Sequence, residues 1–202
     1  MDIFQIILLL NLCISISFFI IGMIILKASG INPIGKRVKT KNRFGTLSII
    51  ISTLILYLLW IVYIINTNTS LLFFSVELMT KSNYVKWIAV AIMTIATIIE
   101  IISGLTLGKS GRIHSSTEKT KLIKNGIYGI IRNPIVLGMF LYGISILLLY
   151  PNLLSLIMII FQIYGYNYKV DAEAEKLEEM FGNEWNDYCK KVGKYFPKLF
   201  TK

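Results

Sequence analysis

Apolar positions dominate this chain in long runs that lack the three-to-four-residue alternation of a surface helix. Ile3 to Leu26, Leu47 to Ile65 and Val85 to Leu107 each approach or exceed the roughly 20 residues a helix needs to cross a bilayer. Two further runs, Ile135 to Leu149 and Leu153 to Ile163, are split at Tyr150-Pro151-Asn152 and read as a helical hairpin. The second continues, with only Gly165 as a weak point, into an acidic stretch that starts at Asp171. The polar ends of a hairpin return to the same side of whatever buries it, so Arg132 and Glu173 are predicted to meet in space. A shorter patch, Leu71 to Val76, cannot cross and is predicted to lie at the membrane interface. In the first run Asn11, Ser15 and Gly22 are spaced by four and seven, which puts them on one helical face and predicts contact with another helix.

Composition turns this pattern into a class. With 55% hydrophobic and 16% charged residues and a mean hydropathy of +0.67, the chain is too apolar for a soluble domain. It reads as an all-α polytopic membrane protein with about five transmembrane helices and a helical C-terminal tail. Met1-Asp2 offers no basic segment ahead of the first run, which is also longer than a signal-peptide core and is therefore expected to be retained as a span.

The net charge of +10 lies in two places. Lys27, Lys36, Arg37, Lys39, Lys41 and Arg43 follow the first run; Lys109, Arg112, Lys119, Lys121, Lys124 and Arg132 follow the third, with Glu118 as the one acid among them. Cations flanking apolar spans mark the cytoplasmic side, so the N-terminus and the hairpin tip are expected outside, and both basic loops and the tail inside. This distribution excludes nucleic acid as the partner and favours anionic membrane lipids. A chain rich in Lys, Ile and Asn suggests a prokaryotic source and hence the plasma membrane; in a eukaryote the endoplasmic reticulum would be the host.

Candidate chemistry is sparse. Cys13 and Cys189 lie in dissimilar surroundings and His114 is the one histidine, so neither a disulfide nor a metal site is expected. Glu100 is an acid inside the third run, about two turns from Gly108-Lys109, and either serves a function or pairs with a loop cation. The fourth run is short and opens at Asn133-Pro134, an N-cap followed by a residue suited to the first helical turn. Its start is predicted to sink into the protein, with free N–H groups facing a cavity that suits an anionic ligand group.

The segment Leu122-Ile-Lys-Asn-Gly126-Ile-Tyr128-Gly-Ile-Ile-Arg132-Asn133-Pro134-Ile-Val136-Leu-Gly138, then Glu173, Leu177, Phe181-Gly182, Trp185, Tyr188 and Phe196-Pro197, resembles the C-terminal half of the isoprenylcysteine carboxyl methyltransferase and phospholipid methyltransferase family. The resemblance covers about residues 105–202, leaving residues 1–104 as N-terminal spans with a basic loop. It implies transfer of a methyl group from S-adenosylmethionine to a lipophilic acceptor, either an isoprenylcysteine-like carboxylate or a lipid. It also implies a cofactor pocket built from Lys121, Leu122, Gly126, Tyr128, Arg132, Asn133, Pro134 and Gly138 together with Glu173 and Glu175. Arg132 and Glu173 are the expected catalytic pair, a cation and an anion for a ligand that carries a sulfonium, an ammonium and a carboxylate. No Gly-rich strand-turn-helix is present to suggest a Rossmann site.

The chain departs from the family pattern at three positions. Asn133 replaces a histidine, Val136 replaces a tyrosine, and Ala174 takes the place of a second acid, with Glu175 about 100° further round the helix. Without the histidine no base is evident in the motif, which favours an acceptor that is already ionised, such as a carboxylate. Two other readings are an NADPH-dependent membrane sterol reductase, from the similar Trp185-Asn-Asp-Tyr188-Cys189 tail, and a non-catalytic lipid-binding relative.

Overall fold

A computed structural model describes residues 1–30, 43–65, 82–108 and 121–198. The predicted interfacial patch at Leu71 to Val76, His114, and the loop residues Lys36, Arg37, Lys39, Lys41, Lys109, Arg112, Glu118 and Lys119 fall outside them. The chain forms α1 (Ile3–Ala28), α2 (Arg43–Ile65), α3 (Asn83–Leu107), a 3-10 turn (Gly126–Gly129), α4 (Pro134–Leu149), α5 (Leu153–Phe181) and α6 (Asn183–Lys191). Among the described residues the only β pairing is an isolated parallel bridge between Ile131 and Gly193.

Helices α1, α2, α3 and α5 are long and apolar enough to cross a membrane; α4 is apolar but shorter, at 16 residues. Their contacts fit a bundle in which successive spans run in opposite directions. At one end, the tip end, Gln5 Nε2 donates to the Ile64 carbonyl (2.9 Å), Phe4 stacks edge-on against Trp87, and Tyr63 does so against Tyr150. At the other, the loop end, Gly45 lies against Tyr168 and Gly104 against Phe18. The predicted hairpin is present, its tip fixed by Asn152, which caps α5 by accepting from the Ser155 N–H.

Small and polar residues set the helix separations, as is usual where lipid gives no hydrophobic drive for helices to associate. A Cβ at Gly165 of α5 would lie 2.5 Å from Ser48 Oγ of α2, so these two helices touch backbone to side chain. Asn11 and Ser15 are buried against α3 as their spacing predicts, Asn11 Nδ2 donating to Thr94 Oγ1 (3.3 Å). Gly22 is different: nothing lies within 4 Å of where its Cβ would be, so the shared face ends one turn earlier than the spacing suggests.

The main core is filled by Leu8, Leu56, Trp60, Met93, Tyr142, Ile146 and neighbours from all five spans. A second, smaller core lies at the loop end, where α5 outruns the bundle. Leu122, Trp185, Tyr188 and Val192 are buried there against Ala174, Leu177, Phe181 and Cys189. This packing carries the last part of α5, the α6 tail and the loop before α4 as one unit.

Candidate functional site

The depth of α4 follows from its packing on α3. A Cβ on Gly138 would sit 3.4 Å from the Ala96 carbonyl, so these residues are level. From Ala96 to the end of α3 is about 16 Å at 1.5 Å per residue, whereas Gly138 is about 6 Å from Pro134, so α4 begins roughly 10 Å inside the bundle. Pro134 is correspondingly fully buried. The first N–H groups of a helix have no carbonyl one turn earlier, so the sunken start presents donors to its surroundings. The cap differs from expectation. Asn133 makes no side-chain cap bond; its Nδ2 donates instead to the Lys194 carbonyl at 3.1 Å, because the tail comes close enough to compete.

That tail supplies the framework of the loop. The Arg132 N–H donates to the Gly193 carbonyl (2.8 Å) and the Asn133 N–H to the Lys194 carbonyl (3.1 Å). Tyr188, buried in α6, donates from its hydroxyl to the Tyr128 carbonyl at 2.6 Å. Lys194 Nζ in turn bonds Asp171 Oδ1 (2.6 Å) and Asn167 Oδ1 (3.2 Å), and the Tyr195 hydroxyl bonds Asn167 Oδ1 (3.0 Å). Loop, tail and acidic helix are thus stitched together with the help of four residues that the sequence reading left out, Asn167, Gly193, Lys194 and Tyr195. Gly193 and Lys194 act through backbone carbonyls, which no side-chain motif announces.

Arg132 is held on three sides. Its guanidinium lies 5.6 Å over the Trp185 ring, its Nη1 donates to Cys189 Sγ, and its Nε is buried without a partner among the described residues. The expected meeting with Glu173 takes a looser form. Glu173 forms its ion pair with Lys169 at 3.7 Å, one turn back on α5, and no ion pair joins it to Arg132 among the described residues. The two are bridged by phenols: Glu173 is within electrostatic reach of Tyr128, Tyr128 of Tyr188, and Tyr188 of Arg132. Burial pushes the Tyr188 phenol up to about 12, with Arg132 acting in the opposite sense. Burial raises Tyr128 as well, and Tyr188 and Glu173 add to the effect. Both phenols are therefore protonated donors at neutral pH. Replacing Tyr188 by phenylalanine should cost about 1–3 kcal/mol by leaving a buried carbonyl unpaired, read as a lower thermal midpoint in detergent.

The remaining predicted residues divide. Gly126 opens the 3-10 turn at φ +57 beside Thr106 of α3, a conformation that suits glycine. Gly138 is buried at the α3 contact, and Leu122 packs in the smaller core. Lys121 is exposed, and so is Glu175, because the helix turns it away from the face that carries Ala174 into the smaller core. Phe196, part of the motif that carries the resemblance, is 72% exposed.

A family model described as phospholipid methyltransferase matches residues 84–184, beginning in α3, ahead of the motif segment. Over 100 residues the chain is 33% identical to the Protein-S-isoprenylcysteine O-methyltransferase of Saccharomyces cerevisiae, an alignment covering 46% of this chain and 42% of the yeast protein. The chain therefore spans less than half the length of that relative. The family match takes in half of the chain, from α3 through the sunken loop and hairpin to the acidic helix, and the chain belongs to the phospholipid methyltransferase family.

Proposed function

We propose that this protein transfers a methyl group from S-adenosylmethionine to a lipophilic acceptor at the loop end of its membrane bundle. The observation that carries the reading is the convergence, inside the family-matched region, of a sunken helix start, a partly unsatisfied arginine and the acidic face of α5. The residues fit the cofactor. Arg132, with a buried Nε in want of an acceptor, and the first N–H groups of α4 would receive a carboxylate; Glu173 would receive an ammonium. When bound, the cofactor supplies a methyl group on a positively charged sulfur.

The chain's own contribution is position and dryness. Tyr128, Tyr188 and Trp185 wall the loop side and exclude water, and α4 fixes the floor. Holding acceptor and methyl in line accounts for a large part of such a reaction's acceleration. The acceptor reaches the site sideways between spans and the cofactor from the cytoplasm, the side that the positive loops assign to the loop end. The host is a prokaryotic plasma membrane under this reading.

Purified protein in detergent, titrated calorimetrically, is expected to bind S-adenosylmethionine and not NADPH. Binding of NADPH alone would point to a reductase, and binding of neither to a non-catalytic relative.

A further inference from the structure

The tail folds into a closed turn that leaves a large apolar side chain uncovered. Residues 193–198 are fastened at both ends. The Gly193 and Lys194 carbonyls accept from the Arg132 and Asn133 N–H groups. Lys198 Nζ donates to the Cys189 (2.8 Å) and Lys190 (2.9 Å) carbonyls at the end of α6, where a helix has no donors of its own to offer them. Phe196 and Pro197 project from this turn and are exposed.

A single exposed phenylalanine on a surface in water carries no message. Here its depth does. The Tyr195 ring packs on Phe140 of α4 at 5.3 Å, and the Lys194 carbonyl sits at the sunken start of that helix. The Tyr195 hydroxyl bonds Asn167 of α5, the neighbour of Tyr168, which packs on Gly45 in the first turn of α2. That turn opens with Arg43 and an exposed Phe44. A cation followed by an aromatic at the start of a span marks the boundary between head groups and acyl chains. Residues 193–198 are therefore level with the cytoplasmic boundary of the bilayer or just beneath it. Lys194 behaves as a lysine does at that depth, its ammonium reaching along α5 to Asn167 and Asp171.

The charge beside Phe196 is of one sign. From residue 187 to residue 198 there are four lysines and one acid. That acid, Asp187, pairs with Lys190, but both groups are exposed and such a pair adds little. Lys191 is exposed and has no ion pair among the described residues. The bonds from Lys198 to the last carbonyls of α6 bring this basic helix end against the turn that carries Phe196.

We infer that residues 193–198 form a membrane-docking turn, with Phe196 inserted among the acyl chains of the cytoplasmic leaflet and Lys190 and Lys191 on the phosphates of its anionic lipids. The surface is independent of the reaction proposed above. It bears on the loop all the same, because the turn that the leaflet holds is the one whose carbonyls hold the Arg132 and Asn133 N–H groups.

The test is photo-crosslinking of the full chain in nanodiscs of equimolar phosphatidylcholine and phosphatidylglycerol. Phe196→p-benzoylphenylalanine is expected to give lipid adducts by mass spectrometry, with phosphatidylglycerol exceeding phosphatidylcholine at least threefold. The same residue at the exposed Asn183, at the far end of α6, should give none. Adding Lys190→Gln and Lys191→Gln should bring the ratio of the two lipids close to one. Absence of lipid adducts at position 196, or adducts there to this chain or to a second copy, overturns the docking. An equal share of the two lipids without the lysine changes overturns the role of charge. Hydrogen exchange of the unaltered protein gives a check free of any variant: amides of residues 194–196 should exchange more slowly once phosphatidylglycerol is added to phosphatidylcholine discs, and equal rates count against the inference.

Discussion

Arg132→Ala is expected to weaken S-adenosylmethionine binding by about tenfold or more, equivalent to about 1.4 kcal/mol, and Glu173→Ala to do the same. Under the proposed function the two would act on opposite charges of the ligand, and no ion pair joins them among the described residues, so neither loss would be softened by release of its partner. Arg132→Lys should recover little. A lysine keeps the charge but cannot lie flat over Trp185 while donating to Cys189 Sγ. Calorimetric titration of each variant in detergent decides the matter, and unchanged affinity in both alanine variants removes the site assignment.

Gly193→Ala should be the most damaging of the small substitutions. An added Cβ would lie 1.9 Å from the Phe196 carbonyl oxygen, which is backbone and has no rotamer to yield. Overpacking of this kind costs roughly 1–3 kcal/mol, and relieving it by moving the tail gives up the bonds to the Arg132 and Asn133 N–H groups. Hydrogen exchange gives the cleanest readout. Protection at the Arg132 and Asn133 amides should fall while the amides inside the five spans stay as they are; equal protection in both proteins would show that the tail does not hold the loop.

The spans were legible because lipid imposes a simple code: uninterrupted apolar runs and cations on one side. The hairpin at Tyr150-Pro151-Asn152 and the sunken start at Pro134 followed from the same physics. What escaped the sequence reading depends on partners remote along the chain. Asn133 has the identity of an N-cap, yet a carbonyl 61 positions away claims its side chain. Arg132 and Glu173 were expected to meet in space, but charge alone says nothing of Trp185, Cys189 and Lys169, which occupy them instead. Glu175 could be placed only when the rotation of α5 against the smaller core was known.

The Ile131–Gly193 bridge also bears on how the protein matures. The stretch that fastens the loop is translated after all five spans, so a nascent chain can complete its insertion in the bilayer while Arg132 still lacks its anchor. Assembly of the binding end is then a separate, later event from membrane integration, and a chain could be correctly threaded yet unable to bind its ligand.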